Sequence, residues 1–134
     1  MMISLINGPR IELNGSSHSA EPIDIRRARD FIHQYYADKV SLARAARAAN
    51  ISAGHLSEKF KQVTGIKFVN YVGWVRVEQA CQRLRESNAP ISEIAFEVGF
   101  QSLSQFNRVF KKVSDKSPSE YRASFRPEST LGRR

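Results

Sequence analysis

The sequence contains few of the residues that form disulfides, metal sites or membrane spans. Its single cysteine, Cys81, cannot form a disulfide within the chain, and its three histidines show no zinc-ligand spacing. No apolar run approaches the roughly 18 residues of a membrane-spanning helix, and the N-terminus lacks the basic and apolar regions of an export signal. These absences predict a cytoplasmic protein with no bound metal, no cofactor and no membrane contact.

Catalytic signatures are missing as well. The chain has no glycine-rich phosphate loop and no G-x-S-x-G elbow. No pattern places a nucleophile beside a base and a third group that orients the base. We therefore expect that the protein is not an enzyme and has no catalytic residues.

What the sequence does contain is an excess of positive charge. The 21 lysine and arginine residues outnumber the 13 acidic residues, so the net charge is +8 and the isoelectric point is near 10.1. Such an excess favours a polyanionic partner, most economically nucleic acid, although a merely soluble basic surface would give the same composition. At 134 residues the chain has room for one domain with a real core.

Residues 91–114 carry the pattern of two short helices joined by a tight turn. Apolar residues recur at helical spacing in both halves, and the second half has polar and basic residues on its other side. Gly99 ends the first helix because glycine tolerates positive φ. Ser102 and Gln105 have the spacing of a capping box at the start of the second helix. The pattern predicts a helix-turn-helix, a unit that many proteins use on DNA.

The same pattern occurs earlier in the chain, at residues 42–65. Asn50, which also tolerates a left-handed conformation, takes the place of Gly99. Ser52 aligns with Ser102 as the cap of the second helix. This internal duplication predicts an all-α fold with two helix-turn-helix subdomains, about seven helices in total, joined by a long connecting helix.

The remaining segments complete the predicted domain organisation. A first helix over residues 24–36 has an apolar stripe, and its Arg26, Arg27 and Arg29 are expected to face water. The connecting helix, residues 67–87, would span roughly 30 Å, close to the ~34 Å advance of one DNA turn. We predict a flexible arm at residues 1–22, a domain at residues 23–125 with helix-turn-helix units at 42–65 and 91–114, and a disordered tail at residues 126–134.

Two segments carry the spacing of a known signature. Residues 94–122 read IAFEVGFQSLSQFNRVFKKVSDKSPSEYR, with the successive patterns I-A, G-F, F-x-R-x-F-K and S-P-x-x-Y-R. Residues 55–65, HLSEKFKQVTG, correspond in the first unit, and Arg76, Ala80 and Leu84 fit the connecting helix. Through these residues the chain resembles the DNA-binding domain of the AraC/XylS (arabinose-regulator) family of bacterial transcription regulators. The resemblance implies seven helices and sequence-specific binding of double-stranded DNA, usually with activation of transcription through RNA polymerase.

The resemblance also implies base-contacting residues in each of two recognition helices. The implied positions are Gly54, Ser57 and Glu58 in the first and Leu103, Ser104, Asn107 and Arg108 in the second. Arg108 can donate two hydrogen bonds to guanine, Asn107 can pair with adenine, and Leu103 can only contact a thymine methyl group. Glu58 can accept from cytosine but repels phosphate, whereas Gly54 has no side chain to read a base. We therefore expect the second helix to supply more of the base discrimination.

Further residues on these two segments are candidates for contact with phosphates, together with the amides at the helix N-termini. The candidates are Ser52, His55, Lys59, Lys61, Ser102, Lys111 and Lys112. For each lysine, an ordinary solvated surface position is an equally good interpretation.

The main alternative is a helical adaptor that binds proteins and not DNA, because helix-turn-helix shapes also serve as interaction modules. An RNA-binding interpretation lacks exposed aromatic residues for stacking. Trp74 and Cys81 are interpreted as packing residues.

Because both reading helices lie in one chain, we expect a monomer. The sequence leaves open the operator, activation or repression, an effector domain, and whether the chain is a small regulator or part of a longer protein.

Overall fold

Seven α-helices and no strands make up residues 21–125, the part of the chain that the computed structural model describes. They are α1 (Ile23–Tyr35), α2 (Leu42–Ala49), α3 (Ala53–Thr64), α4 (Phe68–Glu86), α5 (Ile91–Glu97), α6 (Leu103–Ser114) and α7 (Pro118–Ser124). This confirms the predicted all-α fold, with one helix-turn-helix formed by α2 and α3 and the other by α5 and α6. Residues 1–20 of the predicted arm and the predicted tail at 126–134 lie outside the described residues. No helix within the described range combines the length and apolarity that a membrane crossing needs.

The first helix packs against the first helix-turn-helix through one apolar side. Its buried residues are Ile25, Ala28 and Ile32. Arg26 and Arg27 are exposed, as expected. The expectation for Arg29 is wrong, because its guanidinium donates two hydrogen bonds of 2.7 Å to the carboxylate of Glu21 and only 29% of its side chain is exposed. This pair joins the start of the described chain to α1.

Both helix-turn-helix turns have the left-handed conformation that their sequences predict. Asn50 has a φ of 64° and Gly99 has a φ of 107°. After each turn a serine begins the next helix, and the side chains of Ser52 and Ser102 each accept a hydrogen bond from the amide three residues later, at 3.1 and 3.0 Å. The same two devices therefore fix the start of α3 and of α6.

The predicted capping box at Ser102 is only half formed. The side-chain oxygen of Gln105 accepts from the amide of Gln101 at 3.2 Å, one residue before the cap, and not from the amide of Ser102. The amide of Gln101 also lies outside any helix. The side chain of Gln105 therefore accepts from this amide instead of from the amide of Ser102. A complete box occurs at Ser117, which accepts from the amide of Glu120 while Glu120 accepts from the amide of Ser117.

The fourth helix forms the centre of the core. It is 19 residues long and packs against α1, α3, α5, α6 and α7, so the two helix-turn-helix units share one apolar interior. Trp74 and Cys81 are buried on it, as their interpretation as packing residues predicts. Burial raises the pKa of the Cys81 thiol to about 11, which keeps the thiol protonated and unreactive near neutral pH.

Two arginines fasten the segments that lead into the helix-turn-helix units. Arg76 of α4 donates from Nε to the carbonyl of Tyr36 at 2.8 Å and from Nη2 to the carbonyl of Asp38 at 3.0 Å. Arg122 of α7 donates from Nη2 to the carbonyl of Ala89 at 2.8 Å. Because charged donors make strong hydrogen bonds to these carbonyls, each unit is held to the core just before its first helix.

Candidate nucleic-acid interface

The third and sixth helices each pair a buried face with an exposed polar face. The buried residues are Leu56 and Phe60 on α3 and Phe106 and Phe110 on α6. All seven residues predicted to contact bases are exposed. Their spacing along each helix places them on one side of it. The structure therefore gathers Gly54, Ser57 and Glu58 on α3 and Leu103, Ser104, Asn107 and Arg108 on α6.

Two of these seven positions differ from ordinary surface positions. Leu103, in the first turn of α6, leaves 39% of its surface exposed although its side chain is apolar. An exposed methyl-rich side chain suits the predicted contact with a thymine methyl group. At Gly54 an added Cβ would meet no atom within 4 Å. The fold therefore does not require glycine there, and α3 lacks a reading side chain at a position that could hold one.

Most of the residues predicted to contact phosphates are also exposed. The side-chain oxygens of Ser52 and Ser102 accept hydrogen bonds from helix amides, which leaves each hydroxyl hydrogen free to donate. The other exposed candidates are His55, Lys61, Lys111 and Lys112. These six side chains lie on or beside α3 and α6. Their contact with phosphates stays a prediction.

Lys59 is placed differently from the other candidates. Its ammonium nitrogen lies 2.9 Å from a carboxylate oxygen of Asp24 on α1, and only 30% of the lysine side chain is exposed. The hydrogen bond from Lys59 holds the pKa of the Asp24 carboxyl below its usual value. Sequence reasoning missed this pair because its partners are 35 residues apart and belong to different helices. Lys59 therefore fastens α3 to α1.

We expect Lys59→Met to lower stability by up to about 1 kcal/mol and to leave the salt dependence of DNA binding unchanged. Because the pKa of Asp24 is lowered in the folded state, the pair stabilises the fold above the ordinary pKa of an aspartate, and this contribution is lost as the pH falls. The variant should therefore lose less stability than the parent between about pH 5 and pH 2. Thermal unfolding across that range would measure both effects.

Lys61→Met is the matched control, because Lys61 is an exposed lysine on the same helix. It should leave the acid dependence of stability unchanged and reduce the salt slope of DNA binding by about one. An equal loss of salt slope in both variants would show that Lys59 contacts phosphate in spite of its pair with Asp24.

A groove of about 1380 Å³ lies between α3 and α6, with the first half of α4 along it. We call it the central groove. Residues of α3, α4 and α6 line it together with the start of α2 and with Lys67, which precedes α4; among those on the helices are Ser57, Lys61, Val69, Arg108 and Lys112. Sequence reasoning missed Lys67 and Val69 because they belong to neither helix-turn-helix motif: Lys67 immediately precedes α4 and Val69 lies in its first turn. The central groove is continuous with the predicted base-reading faces, since Ser57 and Arg108 belong to both.

The two helix-turn-helix units differ in charge on the outer side of their first helix. On α5, Phe96 is 54% exposed and is accompanied by the exposed residues Glu93 and Glu97. At the aligned positions of Glu93 and Phe96, α2 carries the exposed arginines Arg44 and Arg47. We call Glu93, Phe96 and Glu97 the α5 face. The α5 face is therefore acidic and apolar where the aligned positions of α2 are basic.

Comparison with known proteins gives one matching family and several similar structures. A family described as "Helix-turn-helix domain" matches residues 45–124. The chain is 33% identical over 102 residues to the uncharacterized HTH-type transcriptional regulator YijO of Escherichia coli, a match that spans 76% of this chain and 36% of YijO. The chain thus spans about a third of the length of that relative.

Solved structures show the same arrangement of helices. The C-terminal domain of AraT, a response regulator from Geobacillus stearothermophilus, has a TM-score of 0.72 at 35% identity, over 78% of this chain and 86% of that chain. The DNA-binding domain of AdpA, solved in complex with a target DNA, has a TM-score of 0.74 at 22% identity, over 80% and 96% of the two chains. Together with the family match, these findings show that the chain belongs to the AraC-type helix-turn-helix family of transcriptional regulators.

Proposed function

We propose that the chain binds double-stranded DNA and reads two adjacent major-groove segments, one with α3 and the other with α6. The observation that carries this proposal is the pair of equivalent exposed faces, each begun by a capping serine and each joined to the same connecting helix. The 19 residues of α4 extend over roughly 28 Å, and one DNA turn advances by ~34 Å. A rigid spacer of this length suits two recognition helices in successive major grooves on one face of the duplex.

Charge and the comparison with AdpA support DNA as the partner. The chain has a net charge of +8, and lysines and arginines line the central groove on and between the two proposed reading faces. A surface of this sign attracts the phosphate backbone by releasing its counterions. The AdpA domain, which has the same fold, was solved with its target DNA. These observations favour DNA over the protein adaptor.

Selection of sites from random duplex DNA by the purified chain, at two salt concentrations, tests the proposal. We expect a site with two short conserved blocks about one helical turn apart. Salt-sensitive binding without any preferred sequence would contradict reading by two helices. Absence of binding at both salt concentrations would favour the helical adaptor. Each result is read from the sequences recovered and from the binding isotherms.

The protein is further proposed to activate transcription by contacting RNA polymerase through the α5 face. In a first helix that crosses the DNA backbone, arginines such as Arg44 and Arg47 suit phosphates. Glu93 repels phosphates, whereas the carboxylate of Glu97 lies 3.6 Å from Nε of Arg83. The exposed ring of Phe96 gains by burial against a protein. Two reading helices in one chain also favour action as a monomer.

We expect Phe96→Ser to reduce activation of a reporter gene at least several-fold while the DNA affinity stays unchanged. The reason is that a half-exposed aromatic anchor is worth about 2 kcal/mol or more when it is buried at an interface, whereas it contributes little to the core of the free protein. Transcription assays with purified polymerase and binding assays on the same DNA would separate the two effects. Tyr35→Ser, at another exposed aromatic residue, is the control, and equal losses in both variants would argue against the α5 face.

A further inference from the structure

The central groove occupies the space between the two proposed reading helices, and this position determines what it would meet on DNA. Two successive major-groove segments on one face of a duplex are separated by a minor groove, which has one sugar–phosphate strand on each side. If α3 and α6 enter the major grooves, the intervening strands pass across the opening between them. We propose that the central groove seats these strands, with Lys67 and Val69 as contacts not assigned above. The inference rests on the proposed function and adds to it two contact residues outside both helix-turn-helix motifs.

The charges of the central groove suit a sugar–phosphate strand. Among the described residues that line it, Glu58 is the single carboxylate, and it is outnumbered by the cations Lys61, Lys67, Arg108 and Lys112. Arg76 also lines the groove, but its guanidinium donates hydrogen bonds to main-chain carbonyls. Lys67 is exposed and immediately precedes the first turn of α4. A lysine in this position can follow a phosphate as a mobile point charge without a fixed geometry.

Apolar side chains in the central groove suit the sugars of the same strands. Val69, in the first turn of α4, is 68% exposed, the largest exposure among the exposed large apolar residues of the described chain. Its methyl groups have no hydrogen-bonding capacity, so they can cover deoxyribose carbons but cannot read a base edge in the minor groove. Gly73 allows α4 and α6 to approach closely, because an added Cβ would lie 3.3 Å from a methyl carbon of Val109. The lining of the central groove therefore combines apolar side chains with exposed cations.

The size of the central groove argues against a small ligand. Its volume of about 1380 Å³ exceeds the roughly 300–1,000 Å³ of typical small-molecule pockets. It is also continuous with Ser57 and Arg108 on the proposed reading faces. A polyanion that already lies on those faces therefore reaches the central groove without a separate binding event.

The test is to compare Lys67→Ala and Val69→Glu with the parent on the selected two-block site. For Lys67→Ala we expect a salt slope smaller by about one and a similar fold-loss of affinity on specific and non-specific DNA, because a phosphate contact carries no sequence information. Hydroxyl-radical footprinting should show weaker protection of the sugars between the two blocks. For Val69→Glu we expect a larger loss of that protection, because a carboxylate would face phosphate. The preferred bases within the blocks should stay the same in both variants.

Lys39→Ala is the matched control, because Lys39 is an exposed lysine that does not line the central groove. It should keep the parental salt slope and footprint. The emission of Trp74, the single tryptophan of the chain, reports on folding of each variant from within the core. If the two-block site is bound with unchanged salt slope and footprint in both groove variants, the inference is overturned and the proposed function stands. If the parent binds no duplex, the proposed function fails first and the inference fails with it.

Discussion

Replacing Arg108 with alanine is expected to remove about 1–3 kcal/mol of discrimination at one base position of the DNA site. Arg108 is exposed on α6 and lies on the rim of the central groove, so its guanidinium has access to a base edge. A guanidinium that donates two parallel hydrogen bonds to guanine loses both in Arg108→Ala, and Arg108→Lys should restore charge but not the paired geometry. Competition binding with duplexes substituted at single positions would measure the change.

Glu58→Ala is the comparison that decides how the two helices share base reading. Glu58 is exposed on α3, where Gly54 offers no side chain. Its removal should relax a preference at one position by less than Arg108→Ala does. It should also raise affinity for all sequences, because a carboxylate no longer faces phosphate. If Glu58→Ala relaxed the sequence preference more than Arg108→Ala, α3 and not α6 would supply most of the discrimination.

The largest loss of stability is expected for Gly99→Ala, at about 3–5 kcal/mol. Gly99 has a φ of 107°, where residues with a side chain are strained. A Cβ at this position would also lie 2.5 Å from the carbonyl oxygen of Tyr36 and 2.6 Å from Nε of Arg76. The added atom would therefore disrupt the hydrogen bond between these two groups as well as strain the turn. Urea denaturation followed by circular dichroism would measure the loss.

Asn50→Ala is the control that the internal duplication provides. Asn50 occupies the equivalent turn with a φ of 64° and already carries a Cβ. The substitution should therefore cost only about 1–2 kcal/mol, the price of an alanine in the left-handed region. Equal losses at the two positions would show that strain in the turn, and not the contact with Arg76, accounts for the effect of Gly99→Ala.

Local sequence patterns predicted the helices and the turns because the forces that form them act over a few residues. Asn50 and Gly99 adopt positive φ because asparagine and glycine tolerate it better than other residues do. Ser52 and Ser102 cap their helices because each side chain accepts a hydrogen bond from an amide three residues later. The exposed polar faces of α3 and α6 follow from helical spacing alone.

The pairs that sequence analysis missed depend on the choice among several nearby partners or on tertiary contact. Gln105 had two free amides within reach and pairs with that of Gln101. Lys59 meets Asp24 only because α3 packs beside α1. The central groove could not be predicted either, because it exists only where helices from different parts of the chain meet.

The hydrogen bonds of Arg76 and Arg122 have a consequence for the length of the DNA site. Both helix-turn-helix units are fastened to neighbouring helices through main-chain carbonyls, and both pack on the same uninterrupted α4. These contacts therefore set the distance and the angle between α3 and α6. An extra base pair between the two blocks would shift the second block by about 3.4 Å and rotate it by roughly 34°. If α3 and α6 read two blocks as proposed, we therefore expect the protein to select its sites by the spacing of the blocks as well as by their bases.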